Sequence, residues 1–248
     1  MPTSTKFAGA EADQNHIRTP RREPLSRDRV LDAALALVDA EGVDALTMRR
    51  LARELSCNAM ALYRYAASRD ELLDGVVETV LAELVIDPDG SDWQGRLRHT
   101  AHQFRALALA HPRVVPLLVT RPLATPLGLR PLGTVRPLEM LLAMLVDAGF
   151  SPADALRVYR AFFGFLYGHV LTELQEVVTN PEESEDLLRL GLHRLPPQEF
   201  PYVRGLATEL AHYDGAAELD QGLDVLLTGF SGHRRPTPDR EPTSSSGA

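Results

Sequence analysis

Apolar positions along the chain recur every three or four residues, the repeat of helices that bury one side. Ser26 is placed to cap a helix carrying Val30, Ala34, Leu37 and Val38 on one stripe, running to about Ala40 and stopped by Glu41-Gly42. Thr47 caps a second, short helix with Leu51 and Leu55 on one face, and Asn58 caps a third from Ala59 to about Tyr65. Ser68 and Glu71 form an S-x-x-E capping box that opens a helix through Leu72, Val76, Val80 and Leu84, which Asp87-Pro88-Asp89-Gly90 ends.

The pattern continues downstream. Ser91 with Gln94 reads as another capping box, starting a helix to about Ala110 that His111-Pro112 breaks. A short helix is expected over 112–119, then an irregular stretch marked by Pro122, Pro126 and Pro131, then a helix over about 134–148 ended by Gly149. Ser151-Pro152-Ala153-Asp154 is a strong helix start, with the helix predicted to reach about Val178. Acidic, proline-containing residues 180–199 predict a loop with a helical turn near 185–190, and helices at about 200–213 and 216–229 follow. No alternating β pattern occurs, so the predicted fold class is all-α.

Composition changes the picture in only a few respects. At 248 residues and 44% hydrophobic content the chain can bury a sizeable core. Residues 1–24 predict a polar arm containing Arg18, Arg21 and Arg22 with no signal-peptide core, and residues 231–248 a disordered tail. No apolar run approaches the roughly 18 residues of a membrane span, so no membrane partner is expected. The single Cys57 allows neither an internal disulfide nor a multi-thiolate metal site, and a cytoplasmic setting is expected. The net charge of −8 is unevenly spread: residues 16–69 carry ten Arg against seven acids, residues 71–248 fifteen Arg against twenty-four acids. Only the N-terminal quarter suits a polyanion.

That quarter also holds three short helices, the second and third separated by Ser56-Cys57-Asn58, which is the helix-turn-helix spacing. Leu51, Leu55 and Leu62 can share a small core with the first helix, turning Ala59, Met60, Ala61 and Arg64 outward. Small outward residues let a helix approach base edges in a major groove, with its Asn58-capped end directed at phosphates or bases. An ordinary three-helix bundle fits the spacing alone equally well.

The residues themselves go further. The run Glu41-Gly42, Thr47-Met48-Arg49-Arg50-Leu51-Ala52, Leu62-Tyr63-Arg64-Tyr65 and Ser68-Arg69-Asp70-Glu71-Leu72-Leu73 resembles the DNA-binding domain of the TetR family of bacterial repressors over residues 26–78. The resemblance implies that Thr47, Tyr63 and Arg69 hold phosphates, that Arg49 approaches a base, and that Ala59, Met60 and Ala61 meet bases. Arg64 is left between base and phosphate. The sequence departs from the family at Ser56 in place of the turn glycine, Cys57 for valine, Asn58 for the Ser or Thr cap, Tyr65 for histidine and Ala66 for an aromatic residue. A serine forced into the left-handed region costs about 1–2 kcal/mol.

Residues 91–230 resemble the C-terminal domain of the tetracycline-repressor branch through Asp92-Trp93, Ala110-His111-Pro112, Thr120-Arg121-Pro122 and the segments 145–171 and 219–230. The expected organisation is therefore an arm (1–24), a DNA-binding domain (25–70), a helical effector-binding and dimerisation domain (71–230, with 71–86 as connecting helix) and a tail (231–248). The branch implies a homodimer whose four-helix bundle draws on Phe162, Phe163, Leu166, Val170, Leu223, Leu226 and Leu227; intramolecular core is the alternative for these residues. It also implies an effector pocket, with Phe104, Leu117, Thr120, Met140, Met144, Tyr159, Phe163 and Tyr167 as candidate lining. Leu117 stands where tetracycline repressors place a metal-associated histidine, and Thr172 where they place a glutamate. No metal or cofactor is therefore expected, and the effector is expected to be largely apolar.

The function expected is a one-component regulator, most simply a repressor that binds a palindromic double-stranded DNA operator and is released by a small molecule. An activator of the same fold, a helical enzyme and an interaction module are the alternatives. His99 and His102 share a helix face, but two histidines are a weak metal signal, and no hydrolase, metalloprotease or phosphate-loop motif is present.

Overall fold

The computed structural model describes residues 24–86, 92–124, 127–175 and 185–232. The expected arm up to residue 23, Ser91 and the expected tail beyond Gly232 lie outside the described residues. Among the described residues the fold is all-α, with twelve α-helices, two 3-10 turns and no strand.

Helix α1 (Arg27–Glu41) is capped by Ser26, whose Oγ accepts from Arg29 N. Thr47 caps α2 (Met48–Glu54) through Arg50 N, and Asn58 caps α3 (Ala59–Leu62) through Met60 N. α3 is shorter than predicted: the amides of Tyr65 and Ala66 both donate to the Leu62 carbonyl, closing a turn at 2.8 and 3.1 Å. Ser68 then caps α4 (Arg69–Ala82), with Glu71 reaching back to Ala67 N. Val30, Ala34 and Val38 of α1 are fully buried, together with Leu46, Leu51 and Leu62. Helix α1 lies directly on α4, where a Cβ on Gly75 would overlap the Leu31 side chain.

Helix α5 (Trp93–Ala110) starts at Asp92 rather than at the expected Ser91; the Asp92 carboxylate accepts from Gly95 N at 2.9 Å. The prolines deceive most over 112–137. Helix α6 (Val115–Ala124) runs through Pro122, and α7 (Leu132–Asp147) contains Pro137, so the stretch expected to be irregular is largely helical. Proline in a helix forfeits one backbone hydrogen bond. The Thr120 hydroxyl donates to the Pro116 carbonyl within α6. Helix α8 (Pro152–Leu174) is capped by Ser151, while the predicted last turn to Val178 lies outside the described residues. Helix α9 (Glu185–His193) extends the expected turn, α10 (Pro201–Gly205) and α11 (Ala207–Ala211) replace one predicted helix, and α12 (Gly215–Ser231) closes the chain.

Six residues proposed for the dimer bundle are core of the single chain. Phe162, Phe163, Leu166, Val170, Leu223 and Leu227 are all buried, and Leu226 is half-buried. Their helical spacing marks the inner side of α8 and α12. The outer side presents Ala161, Gly164, Gly168 and Leu171 on α8 and Val225 on α12. Beneath α12, Arg105 of α5 grips Glu173 of α8: Nε donates to both carboxylate oxygens at 2.9 and 3.2 Å, and Nη2 to Oε1. The Glu173 side chain is only 4% exposed. A Cβ on Gly215 would overlap that carboxylate, so the glycine lets α12 begin directly above the pair.

Candidate nucleic-acid interface and effector cavity

The turn between α2 and α3 forms a Schellman motif: Cys57 N donates to Ala52 O and Ser56 N to Arg53 O. Ser56 has φ 49°, so this serine occupies the left-handed position for which the sequence lacks its glycine. The Cys57 side chain packs against the core beside the turn. The turn aims α3 outward. Met60 is 72% exposed and Tyr63 48%, with Arg64 exposed beside them and Ala59 and Ala61 half-buried. Thr47, Arg49 and Ala59 line an open cleft between α2 and α3 together with Arg53 and Cys57, neither of which the sequence reading assigned to the interface. Their signal was their place on the outer side of α2 and at its turn.

Two predicted site residues carry structural duties. Thr47 is both exposed and the α2 cap. Arg69 points back into the domain, its Nε donating to Leu46 O at 2.7 Å and Nη2 to Val43 O at 2.8 Å, which pins the α1–α2 connection. Tyr65, in the family's histidine position, donates its hydroxyl to Leu25 O at 2.6 Å and holds the segment leading into α1. Arg50 ties α2 to the end of α1 through Glu41 at 2.5 Å, and to Glu54 at 2.8 Å.

A cavity of about 50 Å³ lies among α4, α6, α7 and α8. Tyr159, Phe163 and Tyr167 form its aromatic wall, one turn apart on α8, with successive ring centroids 4.9 and 5.6 Å apart. Val77 and Leu81 of α4 and Leu138 of α7 supply apolar walls, and Arg121, Arg130, Thr134 and Asp74 the polar groups. Burial raises the hydroxyl pKa of both Tyr159 and Tyr167, opposed by the charge of Arg130. Both phenols are therefore neutral donors at neutral pH.

The other predicted lining residues stand elsewhere. Phe104 is a second layer, edge-on to Phe163 and Tyr167 at 6.0 and 5.6 Å. Leu117 and Met144 are buried core, and Thr120 is exposed. Met140 lines a separate groove between α4 and α7. The sequence reading missed the α4 side of the cavity and Arg130 because their stretches read as a linker helix and a proline-rich irregular segment. The one available signal was an arginine isolated among prolines and leucines at 127–131.

Two polar latches join the helices around the cavity to the N-terminal helices. Arg121 donates to Asp74 Oδ1 at 2.8 Å, to Asp70 Oδ1 at 3.0 Å and to the Asp70 carbonyl at 2.7 Å. His111 Nδ1 pairs with Asp39 Oδ2 at 2.8 Å, and Arg113 donates to the Asp39 and Ala40 carbonyls at the end of α1. His102, half of the weak metal signal, pairs with Asp220 at 2.8 Å. Among the described residues no cluster of three metal-ligating side chains occurs, and no helix is long and apolar enough to cross a membrane.

Comparison with known proteins agrees with this architecture. Residues 30–76 match the family described as "Bacterial regulatory proteins, tetR family", and residues 87–233 the "Tetracyclin repressor-like, C-terminal domain". The chain is 34% identical over 237 residues to an HTH-type transcriptional repressor, DrrR1, of Streptomyces coeruleorubidus, covering 88% of this chain and 86% of the relative. It is 30% identical over 214 residues to an HTH-type transcriptional regulator of Saccharopolyspora erythraea, covering 85% and 87%. Among solved structures, the Streptomyces coelicolor TetR family protein ActR in complex with actinorhodin superposes with a TM-score of 0.72 at 29% identity, covering 85% of this chain and 98% of ActR. With an exposed helix-turn-helix joined to a helical body around an aromatic cavity, and with both halves matched in order, the chain belongs to the TetR family of ligand-responsive, DNA-binding transcriptional regulators, which are not enzymes.

Proposed function

We propose that the chain is a cytoplasmic, homodimeric repressor that reads a palindromic operator with residues 25–70 and senses a small molecule with residues 71–230. Arg121 is the observation that carries this reading. Its guanidinium lines the cavity and holds Asp70 and Asp74 on α4, the helix that begins directly behind the DNA-facing α3. A ligand that engages the cavity competes with or shifts this latch, and α4 carries the change to the reading head. To convert a 99:1 preference for the DNA-binding state into its reverse, the ligand must favour the released state by about 5.5 kcal/mol.

In this reading Arg49 approaches a base, and Thr47, Tyr63 and Arg64 contact the backbone around the α3 surface formed by Asn58, Ala59, Met60 and Ala61. Arg69 acts by positioning, because its donors hold the loop that presents Thr47. Two copies need their α3 helices about 34–36 Å apart to enter successive major grooves on one duplex face. The partner packs against the outer side of α8 and α12, where Cβ atoms on Gly164 and Gly168 would meet open space in the single chain. Gly168→Glu should leave the helical fold and shift the protein to monomer in analytical ultracentrifugation. An unchanged dimer would remove this face from the interface.

The effector is a small molecule with a mostly apolar body, in keeping with the lining and with the actinorhodin that occupies ActR. Selection of bound duplexes from a random pool, followed by footprinting at stated salt, tests the central claim. Enrichment of an inverted repeat whose half-sites lie about one turn apart supports it. A folded protein that enriches no sequence refutes it.

A further inference from the structure

The polar groups lining the cavity fall into two sets, those the protein already pairs and those it leaves over. Arg121 and Asp74 hold each other, Nε and Nη2 both reaching Oδ1, at 2.8 and 2.7 Å. The Thr134 hydroxyl donates to the Pro131 carbonyl at 2.8 Å. Arg130 is likewise engaged within the protein. The Tyr159 and Tyr167 hydroxyls remain. Both residues line the cavity, and among the described residues neither hydroxyl has a hydrogen-bond partner. Their rings are fixed by packing, Tyr159 on Phe163 at 4.9 Å and Tyr167 on Phe163 and Phe104, both at 5.6 Å. Two donors therefore stand ready, and little side-chain freedom is lost when they bond.

Between apolar walls a donor without a partner is a standing cost, recovered when something inside the cavity accepts from it. A neutral phenol offers a proton and no charge, and delocalisation into its ring makes the oxygen a poor acceptor. Its match is a neutral carbonyl oxygen. Tyr159 and Tyr167 lie eight residues apart on one side of α8, about 12 Å along its axis, with the Phe163 ring between them. Resting on the reading of this cavity as the effector site, we propose that the effector is a neutral, flat aromatic carbonyl compound, its carbonyl oxygens accepting from the Tyr159 and Tyr167 hydroxyls and its rings lying against Phe163. The inner cavity, about 50 Å³, is smaller than a fused ring system, but it shares Leu81, Leu84 and Pro137 with a groove of about 430 Å³ between α4 and α7. A multi-ring body extends outward along that groove from its inner carbonyl end, at the cost of small side-chain displacements.

The test uses the full-length protein with a dimethylamino-naphthalene carrying a propionyl group, a flat ketone whose emission moves to the red when its carbonyl accepts a hydrogen bond. Its propyl counterpart, which lacks the carbonyl, is titrated beside it. In the double variant Tyr159→Phe/Tyr167→Phe, which keeps both rings, the ratio of ketone to propyl affinity should fall about tenfold. The emission of the bound ketone should move to the blue. Each single variant carries part of the same loss, should the double variant not fold. An unchanged ratio or an unshifted emission overturns the proposal, and so does failure of the ketone to bind at any concentration up to its solubility. Leu138→Trp, which fills the inner cavity, separates this from failure of the underlying reading. If it abolishes ketone binding while the double variant leaves the ratio alone, the cavity stands and the carbonyl proposal falls. If the ketone binds the filled variant as before, the cavity is not the effector site and both fall. Should Leu138→Trp not fold by circular dichroism, Thr134→Phe fills the same space from the preceding turn.

Discussion

Around Met60 and Tyr63, the four-residue α3 holds strongly exposed apolar side chains on one Asn58 cap and one left-handed serine. Around Phe163, four aromatic rings lie within 6.0 Å between centroids. The two regions belong to one continuous hydrophobic core but spend it differently. The head buries its apolar stripe inward and leaves the exposed surface of α3 without tertiary support, so changes there should alter binding more than stability. In the body, most side chains that define the cavity also hold helices together, so changes there should alter stability first.

The sharpest test of that contrast is Arg105→Ala. It strands the Glu173 carboxylate beneath α12 and should destabilise the protein by about 3–5 kcal/mol in urea unfolding. A loss below about 1 kcal/mol would show that water reaches Glu173 and that the body is looser than described. On the head, Arg49→Ala should weaken operator binding by about 1–3 kcal/mol, fivefold to 150-fold in order of magnitude, while the urea midpoint stays put. Equal effects on stability and binding would erase the distinction between the regions.

Smaller effects sharpen it. Ser56→Gly relieves a left-handed serine and should stabilise the protein by about 1 kcal/mol, offset in part by the entropy of glycine in the unfolded chain. Gly149 is the control: at φ 97° it closes the same motif after α7, with Phe150 N donating to Leu145 O, and Gly149→Ser should destabilise. A neutral Ser56→Gly would mean the strain is absorbed elsewhere in the turn.

The smallest effect is a pH dependence in the body. Burial lowers the His169 pKa from its ordinary 6.5, opposed by Glu173, the Gly215 backbone and Glu218, and reinforced by Arg105. The unfolded chain then binds a proton below pH 6.5 that the native state does not, so stability is full above 6.5 and falls as pH drops below it, by at most about 1.4 kcal/mol per unit. His169→Gln should flatten the profile between pH 7.5 and 5.5. An identical profile would assign the slope to other groups.

The two regions also differ in how much of them was legible beforehand. Every cap of the head was readable, because Ser26, Thr47, Asn58 and Ser68 act on amides two or three residues away. The exposed Met60 and Arg64 were likewise readable from the outward stripe of α3, whereas Ala59 and Ala61 of that stripe are half-buried and the exposed Tyr63 entered only through the family resemblance. The cavity was readable only where one helix builds it: Tyr159, Phe163 and Tyr167 lie on the same face of α8, four residues apart. The opposite walls come from α4 and from a proline-rich stretch whose local chemistry argued against helix.

The sequence by itself determined the all-α class, the helix-turn-helix and its caps, because periodicity and capping depend on residues within about one helical turn of one another, and it determined the charge contrast between the halves, which is a sum that needs no fold. Only the tertiary structure decided that Arg69 faces inward, that Phe162 and Leu223 are core, that Arg121 and Arg130 meet at the cavity, and that Pro122 and Pro137 sit inside helices. Those outcomes depend on which helix packs against which. Packing energy, summed over many buried contacts, outweighs the roughly 3 kcal/mol local penalty of a helical proline.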